Sequence, residues 1–249
     1  CDRDRHHLQH RLSARCPGAD RYGRTITTGY HQHRSRADLD AAIERAREWD
    51  AEFGSETVRI RTLKLFLDGT NELGNSAVLE PLISEDNAGA LGAIQMEQAE
   101  LVECMIECNR AGIDLHIHMV GDRAFRTACD AVAEAQRRVR AADTSWDLQV
   151  TFAHCELVDP DDMARPAELG IIINWTNHWS GGYFGEEGKH HLGEERWNRM
   201  YEFTAIANAG TTLTFSSDVV SQPELHRADP FFGMQTAATR CSFASRHRS

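Results

Sequence analysis

The sequence predicts an α/β fold with a parallel sheet, which we interpret as part of a (β/α)8 barrel. Strand-like and helix-like segments alternate five times with mostly short connections, a pattern typical of βαβ crossovers. Each predicted strand also ends near a side chain that could bind a metal or take part in catalysis. Barrel enzymes place their catalytic groups at the carboxyl ends of successive strands. A doubly wound sheet is the alternative, because five parallel strands alone do not distinguish it from part of a barrel.

The individual elements follow from the spacing of apolar residues. Helices are predicted where apolar side chains recur every three to four residues, and strands where β-branched and apolar residues alternate or run together. The predicted strands are 58–67, 113–118, 146–154, 171–175 and 211–217, and the predicted helices are 37–53, 96–110, 123–140, 159–169 and 194–209. A long loop punctuated by glycines covers residues 68–95.

The two ends of the chain differ from this central part. Residues 1–35 are rich in Arg and His and poorly patterned, residues 36–240 carry the predicted partial barrel, and residues 241–249 form a tail. Since the chain starts with Cys1 and its first stretch has no periodic apolar pattern, we expect an internal fragment of a longer protein.

Composition excludes several function classes. The formal net charge of −11 argues against a nucleic-acid clamp, because such proteins need a basic face. No apolar stretch reaches the roughly 18 to 20 residues of a membrane helix and no leader opens the chain, so we expect a soluble, cytoplasmic protein. Seven cysteines without CxxC pairs predict reduced, mostly buried thiols. The expected partner is a small-molecule substrate, with no nucleic acid or membrane, and a homo-oligomer is an open possibility.

The first predicted strand carries Lys64, which shares a strand face with Ile60 and Thr62. A buried ammonium group is costly without a partner. One interpretation is an ion pair with Asp68 or another carboxylate. The other is a functional lysine, used as a base or carbamylated into a bridging metal ligand.

Imidazole and carboxylate groups end the following strands. His116 and His118 share a face of the second strand, and two imidazoles at a strand end form half of a zinc site. The third strand ends at His154 and the last runs into Asp218, a carboxylate suited to act as metal ligand and general base. Taken singly, each group could equally be a core or capping residue, but several in series favour a shared site.

At this point the motifs resemble amidohydrolase family 3 of the amidohydrolase superfamily. The resemblance covers roughly residues 36–240 and rests on ordered motifs: KLFLDG at 64–69, HMVGDRA at 118–124, FAH at 152–154, SSD at 216–218, DP at 229–230 and TAATR at 236–240. It implies a metal-dependent hydrolase on a (β/α)8 barrel, of which this chain would cover approximately strands 4 to 8.

The resemblance also implies roles for single residues. Lys64 would be the fourth-strand lysine, which can be carbamylated in related enzymes, and His118 and His154 would be the metal ligands of the fifth and sixth strands. Asp218 would be the eighth-strand aspartate, a ligand and general base. The family's first-strand His-x-His pair is expected upstream of this region. His31 and His33 have the right letters but follow no apolar strand.

The predicted function is hydrolysis of non-peptide, amide-type carbon–nitrogen bonds by a metal-activated water, with one or two divalent ions, zinc first. Asp218 and Lys64 are the catalytic candidates. Metal ligands are His118, His154, Lys64 and Asp218, and substrate contacts are His178, Asp68 and His116. One alternative is a catalytically incomplete fragment that needs another chain or its missing strands. A second is a metal-independent lyase or isomerase on the same barrel.

Overall fold

The computed structural model describes residues 24–30, 36–219 and 222–240. The His31 and His33 pair, most of the Arg- and His-rich start and the 241–249 tail therefore lie outside the described residues.

The fold is built on one parallel sheet whose strands lie side by side in chain order. The strands are β1 Arg24–Tyr30, β2 Val58–Phe66, β3 Asp114–Met119, β4 Val150–His154, β5 Ile172–Trp175 and β6 Thr212–Phe215. A doubly wound sheet reverses its strand order at a switch point, whereas a barrel adds each strand on the same side of the last. The sequential order, β1-β2-β3-β4-β5-β6, is that of a barrel segment, so the predicted fold class is confirmed.

Strand β1 lies within residues 1–35, the segment described above as poorly patterned. Arg24–Tyr30 pairs in parallel with β2, from Arg24 opposite Val58 to Tyr30 opposite Lys64. Its sequence, RTITTGY, is rich in β-branched residues, which favour strands. It has little apolar alternation, however, and the prediction depended on that signal.

Helices connect the strands. They are α1 Arg36–Phe53, α2 Gln98–Ala111, α3 Asp122–Ala141, α4 Arg165–Leu169, α5 Gly182–Leu192, α6 Glu194–Asn198, α7 Phe203–Asn208 and α8 Pro230–Thr239, with 3-10 turns at Pro160–Asp162, Asn177–Ser180 and Gln222–Ala228. Gly112 and Gly170 end α2 and α4 in the left-handed conformation, as their positions predicted.

The region between β5 and β6 departs most from the prediction. The single helix expected over 194–209 is interrupted at Tyr201, which has φ 59° and donates its backbone N–H to the Glu156 carbonyl at 2.7 Å. A residue in the left-handed region ends the helical hydrogen-bond ladder. Helix α5 forms between the predicted strand 171–175 and the predicted helix 194–209, where no element was expected.

The two faces of the sheet have different roles. Leu63 and Leu65 of β2 are buried in the hydrophobic core that the helices share, together with Leu115 and Ile117 of β3. The alternate residues of these strands, which include Lys64 and the candidate histidines, therefore share the opposite face. All strands run in the same direction, so their carboxyl ends meet at one edge.

Two smaller expectations concern cysteines and membrane helices. Cys104, Cys108, Cys129 and Cys155 are buried free thiols, which confirms the prediction for these four. Within the described residues, no helix combines the length and apolar character needed to cross a bilayer.

Candidate active site

The backbone at the end of β4 has left-handed dihedral angles that direct the His154 side chain towards the candidate site. Strict alternation would place its ring on the face of Phe152, which packs against Phe125 in the core with ring centroids 5.6 Å apart. Instead His154 has φ 73° and Cys155 has φ 47°, both in the left-handed region. The His154 ring consequently lies 4.6 Å from that of His118, centroid to centroid. Such backbone is uncommon for residues other than glycine and is found preferentially at functional sites.

His118 is fixed by a ring contact and a hydrogen bond. Its ring stacks on Phe66 at 4.8 Å between centroids, and its Nε2 lies 3.0 Å from the carbonyl oxygen of Gly69. A carbonyl only accepts hydrogen bonds, so Nε2 carries the proton and Nδ1 has a lone pair available. Gly69 is needed at this place, because a Cβ atom there would collide with the side chain of Asn75.

His154 is held in the complementary way. Its Nδ1 lies 3.0 Å from the hydroxyl oxygen of Thr176, and its ring stacks on Trp179 with 5.5 Å between centroids and 18° between planes. When Nδ1 donates to that hydroxyl, Nε2 is the nitrogen with the available lone pair. Hydrogen bonds of this kind fix the tautomer of metal-binding histidines.

Both imidazoles are held neutral at physiological pH. Burial lowers the pKa of His118 to about 4, against a smaller opposing effect of the Gly69 carbonyl. Burial also lowers the pKa of His154 well below its usual value, with His118 and Lys64 adding to the effect. Neutral imidazole is the form that binds metal ions.

Lys64 and His116 lie next to each other, one step deeper in the sheet than His118. They are Cα partners in the register of β2 and β3, and the Lys64 Nζ lies 5.3 Å from the centroid of the Phe66 ring. Burial lowers the pKa of Lys64 to about 8, and the carboxylate of Asp218 acts in the opposite direction. Burial, then the charge of Lys64, lower the pKa of His116 to about 3.

Asp68 is engaged mainly by the backbone rather than by Lys64. Its Oδ2 accepts hydrogen bonds from the N–H groups of Ala77 and Gly121, both at 2.9 Å, and its Oδ1 accepts one from Val120 at 2.9 Å. Burial raises its pKa to about 7, although these three bonds act against the shift. The bonds join the long loop (residues 68–95) to the turn between β3 and α3. They give Asp68 a structural role in addition to the substrate contact predicted for it.

Asp218 and His178 lie further along the same edge. Asp218 follows β6, is exposed, and has a left-handed backbone with φ 43°. His178 is buried in the 3-10 turn Asn177–Ser180 and meets Trp179 edge-on, with 6.2 Å between ring centroids. It also lines a cavity of about 620 Å³, together with Ser216 and Ser217 at the end of β6.

Four residues of this region were missed by sequence reasoning. Thr176 and Trp179 contact His154 directly, and Glu156 and Asn71 form a buried hydrogen bond of 3.0 Å close by. The last two are separated by 85 residues in the chain, a pairing that one sequence does not reveal. Trp179 was the only detectable signal, as an aromatic residue beside the candidate His178.

The donor chemistry of the described residues fits a divalent metal in part. His118 and His154 supply two neutral imidazoles with their second nitrogens already hydrogen-bonded. Within residues 36–219 and 222–240, however, no group of three or more His, Cys, Asp or Glu side chains is arranged to hold an ion.

Two curated proteins are similar in sequence to part of this chain. The AepA exoenzymes regulatory protein of Pectobacterium carotovorum subsp. carotovorum is 23% identical over 166 residues, which cover 66% of this chain and 34% of that protein. YtcJ of Bacillus subtilis (strain 168), which carries an amidohydrolase name, is 22% identical over 185 residues, 74% of this chain and 32% of that protein. The chain thus spans about a third of the length of these curated relatives.

Two solved structures are similar to the fold. An uncharacterized metal-dependent hydrolase from Pyrococcus furiosus superposes with a TM-score of 0.59 at 26% identity, over 79% of this chain and 38% of that one. One from Pyrococcus horikoshii OT3 gives 0.63 at 20% identity, over 93% of this chain and 46% of that one, and shows the fold alone. The model of the amidohydrolase family matches residues 17–248, beyond both ends of the region where the motifs lie. With most of its length matched, the chain belongs to the amidohydrolase family.

Proposed function

We propose that this chain carries part of the active site of a metal-dependent hydrolase that cleaves amide-type, non-peptide carbon–nitrogen bonds in small molecules. Family membership supports the proposal, as does the 26% identity to a solved metal-dependent hydrolase. The observation that carries it is the imidazole pair, His118 and His154. Their rings lie 4.6 Å apart at the carboxyl edge of the sheet, and each has one nitrogen tied to an oxygen and the other available.

The proposed ligands follow from these hydrogen bonds. His118 would bind through Nδ1 and His154 through Nε2, because their other nitrogens contact Gly69 and Thr176. Lys64 and Asp218 would add oxygen ligands, Lys64 after carbamylation. The lowered pKa of Lys64, about 8, favours this modification, since only the neutral amine reacts with carbon dioxide. Nitrogen and oxygen ligands in this combination suit zinc, as one or two ions.

A divalent ion held by His118 and His154 would lower the pKa of a bound water and polarise the carbonyl oxygen of the substrate. Asp218, exposed at the end of β6, takes the proton of the attacking water on its carboxylate and returns it to the leaving nitrogen. Lys64, which lies deeper in the sheet than His118, contributes to the electrostatic environment of the site. His178 orients the substrate from the wall of the 620 Å³ cavity. Asp68 and His116, the Cα partner of Lys64, are the further proposed substrate contacts.

A second candidate is a fragment that is incomplete without further ligands. It is favoured by the finding that the described side chains form no group of three or more potential ligands. In this case the imidazole pair would bind an ion weakly until another chain, or a segment outside the described residues, completed the coordination. A metal-independent lyase or isomerase is the remaining alternative, and chelation separates it from both.

The test is hydrolysis of a panel of N-acyl amides by purified protein supplied with Zn²⁺, with and without 1,10-phenanthroline. We expect turnover that the chelator abolishes and that Asp218→Asn lowers by a factor of at least ~10². Turnover that resists the chelator would support the metal-independent alternative. Activity that appears only after adding a longer homologous chain would support the incomplete fragment.

A further inference from the structure

Two left-handed residues in succession, His154 and Cys155, need outside support to persist. Backbone of this kind costs on the order of 1 kcal/mol or more per residue and is retained only where its surroundings hold it. Two backbone contacts hold Cys155: its N–H donates to the Met119 carbonyl at 2.8 Å, and its carbonyl accepts from the Trp175 indole at 3.1 Å. The next residue, Glu156, contributes the side-chain support.

Glu156 is a buried carboxyl group with two side-chain partners. It is 3% exposed, its Oε2 accepts from the amide of Asn71 at 3.0 Å, and the Tyr201 hydroxyl bonds to the same carboxyl. Its own carbonyl accepts from the Tyr201 backbone N–H at 2.7 Å. Asn71 is fixed in turn, because its Oδ1 accepts from the Ser76 hydroxyl at 2.6 Å.

This network is connected along the chain to the supports of both imidazoles. On one side, Glu156 is two residues from His154 and anchors the backbone turn that directs that ring. On the other side, Asn71 is two residues from Gly69, whose carbonyl orients His118 at 3.0 Å. One carboxyl group therefore connects the supports of both rings.

We propose that Glu156 is a positioning residue that sets the geometry of the imidazole pair through Asn71 and the strained turn at the end of β4. The inference rests on the proposed function where it concerns metal binding. Its geometric part, the orientation of the His154 ring, does not depend on that function. Outer groups that orient metal-binding histidines typically change metal affinity by ~10- to 100-fold when removed.

The test compares three variants. Glu156→Ala removes both side-chain hydrogen bonds. Glu156→Gln keeps the shape, since its carbonyl can accept from Asn71 while its amide donates to the Tyr201 hydroxyl. Glu107→Ala is the matched control, because Glu107 is also buried, at 9% exposure, and its two carboxylate oxygens accept from Nη1 of Arg110 on the same helix, α2.

Two readouts are measured on each variant. The first is the ring-current shift of the His154 proton resonances caused by stacking on Trp179, recorded by NMR without metal. The second is the affinity for Co²⁺, from the absorption of the bound ion. Thermal unfolding of each variant shows whether stability alone has changed.

We expect Glu156→Ala to lose most of the His154 shift and to bind Co²⁺ at least ~10-fold more weakly. Glu156→Gln should restore both, and Glu107→Ala should lower stability while leaving both unchanged. An unchanged His154 shift in Glu156→Ala, or an equal loss in Glu107→Ala, would overturn the proposal. If the wild-type protein binds no Co²⁺, the proposed function fails, and the NMR comparison still decides the positioning role.

Discussion

Replacing Asp68 with Asn tests whether this carboxylate anchors the long loop (residues 68–95). The two carboxylate oxygens accept three backbone N–H bonds, from Ala77 and Gly121 on Oδ2 and from Val120 on Oδ1. An asparagine has one oxygen and one amide. If its oxygen takes the Oδ2 position, the amide faces the Val120 N–H and leaves that donor without an acceptor.

The expected cost follows from this count. One buried unsatisfied donor costs about 1–3 kcal/mol, and the two remaining bonds lose part of their charge assistance. We therefore expect Asp68→Asn to lower the free energy of unfolding by about 2–4 kcal/mol. Asp68→Ala, which leaves all three donors unpaired, should cost more.

The assay is urea denaturation followed by circular dichroism, with the free energy taken from linear extrapolation. Asp86→Asn is the control, since it makes the same substitution in the same loop at an exposed position and should change stability by no more than about 0.5 kcal/mol. An Asp68→Asn protein as stable as Asp86→Asn would refute the anchoring role.

Three further predictions concern charge and the loop. Burial lowers the folded-state pKa values of His116, His118 and His154 below 6.5, so at these sites the unfolded chain binds more protons, and their contribution to stability should be lost as pH falls from about 6.5 towards 4. Burial raises the pKa values of Asp68 and Glu156 to about 7 and about 8, which offsets part of this loss. A metal-free protein that gains stability in urea denaturation over this range would contradict the pKa assignments. Lys64→Met should raise the free energy of unfolding of the metal-free protein at pH 7 by about 1–3 kcal/mol, because it removes a desolvated ammonium group. The same variant should lose hydrolysis. Thermal unfolding and turnover are the measurements, and a destabilised variant would contradict the view that burial of the Lys64 ammonium is unfavourable. The buried guanidinium of Arg196 donates to the carbonyls of Glu80, Pro81 and Leu192. A lysine cannot make all three bonds in this geometry, so Arg196→Lys should speed proteolytic cleavage near residues 80–84. Cleavage at the wild-type rate would show that other contacts hold the loop.

The elements that could be predicted from the sequence are those with a local pattern of apolar residues. β2 and β3 place buried apolar residues at alternate positions, such as Leu63 and Leu65 or Leu115 and Ile117, and glycines mark the ends of α2 and α4. β1 was missed because its Thr-rich sequence gives no alternation, and its place in the sheet depends on pairing with β2. The break at Tyr201 was missed because it depends on contacts with Glu156.

The site divides in a similar way. His118 and Lys64 follow from strand parity, since both face away from the helix-covered core. His154 was identified by its position at a strand end and by the family motif, but its inward direction depends on a left-handed backbone that no periodicity predicts. The residues that hold the rings, Gly69 and Thr176, contact them across 49 and 22 residues of chain.

The proposed function requires that His118 and His154 bind a metal ion together. Metal content by mass spectrometry, on protein purified with Zn²⁺ and then desalted, tests it most directly when compared with a His118→Ala, His154→Ala double variant. His190→Ala, at an exposed histidine of helix α5, is the control. We predict zinc near or above one equivalent in the wild-type and control proteins and its loss in the double variant. Zinc retained by the double variant, or absent from the wild-type protein, would contradict the claim.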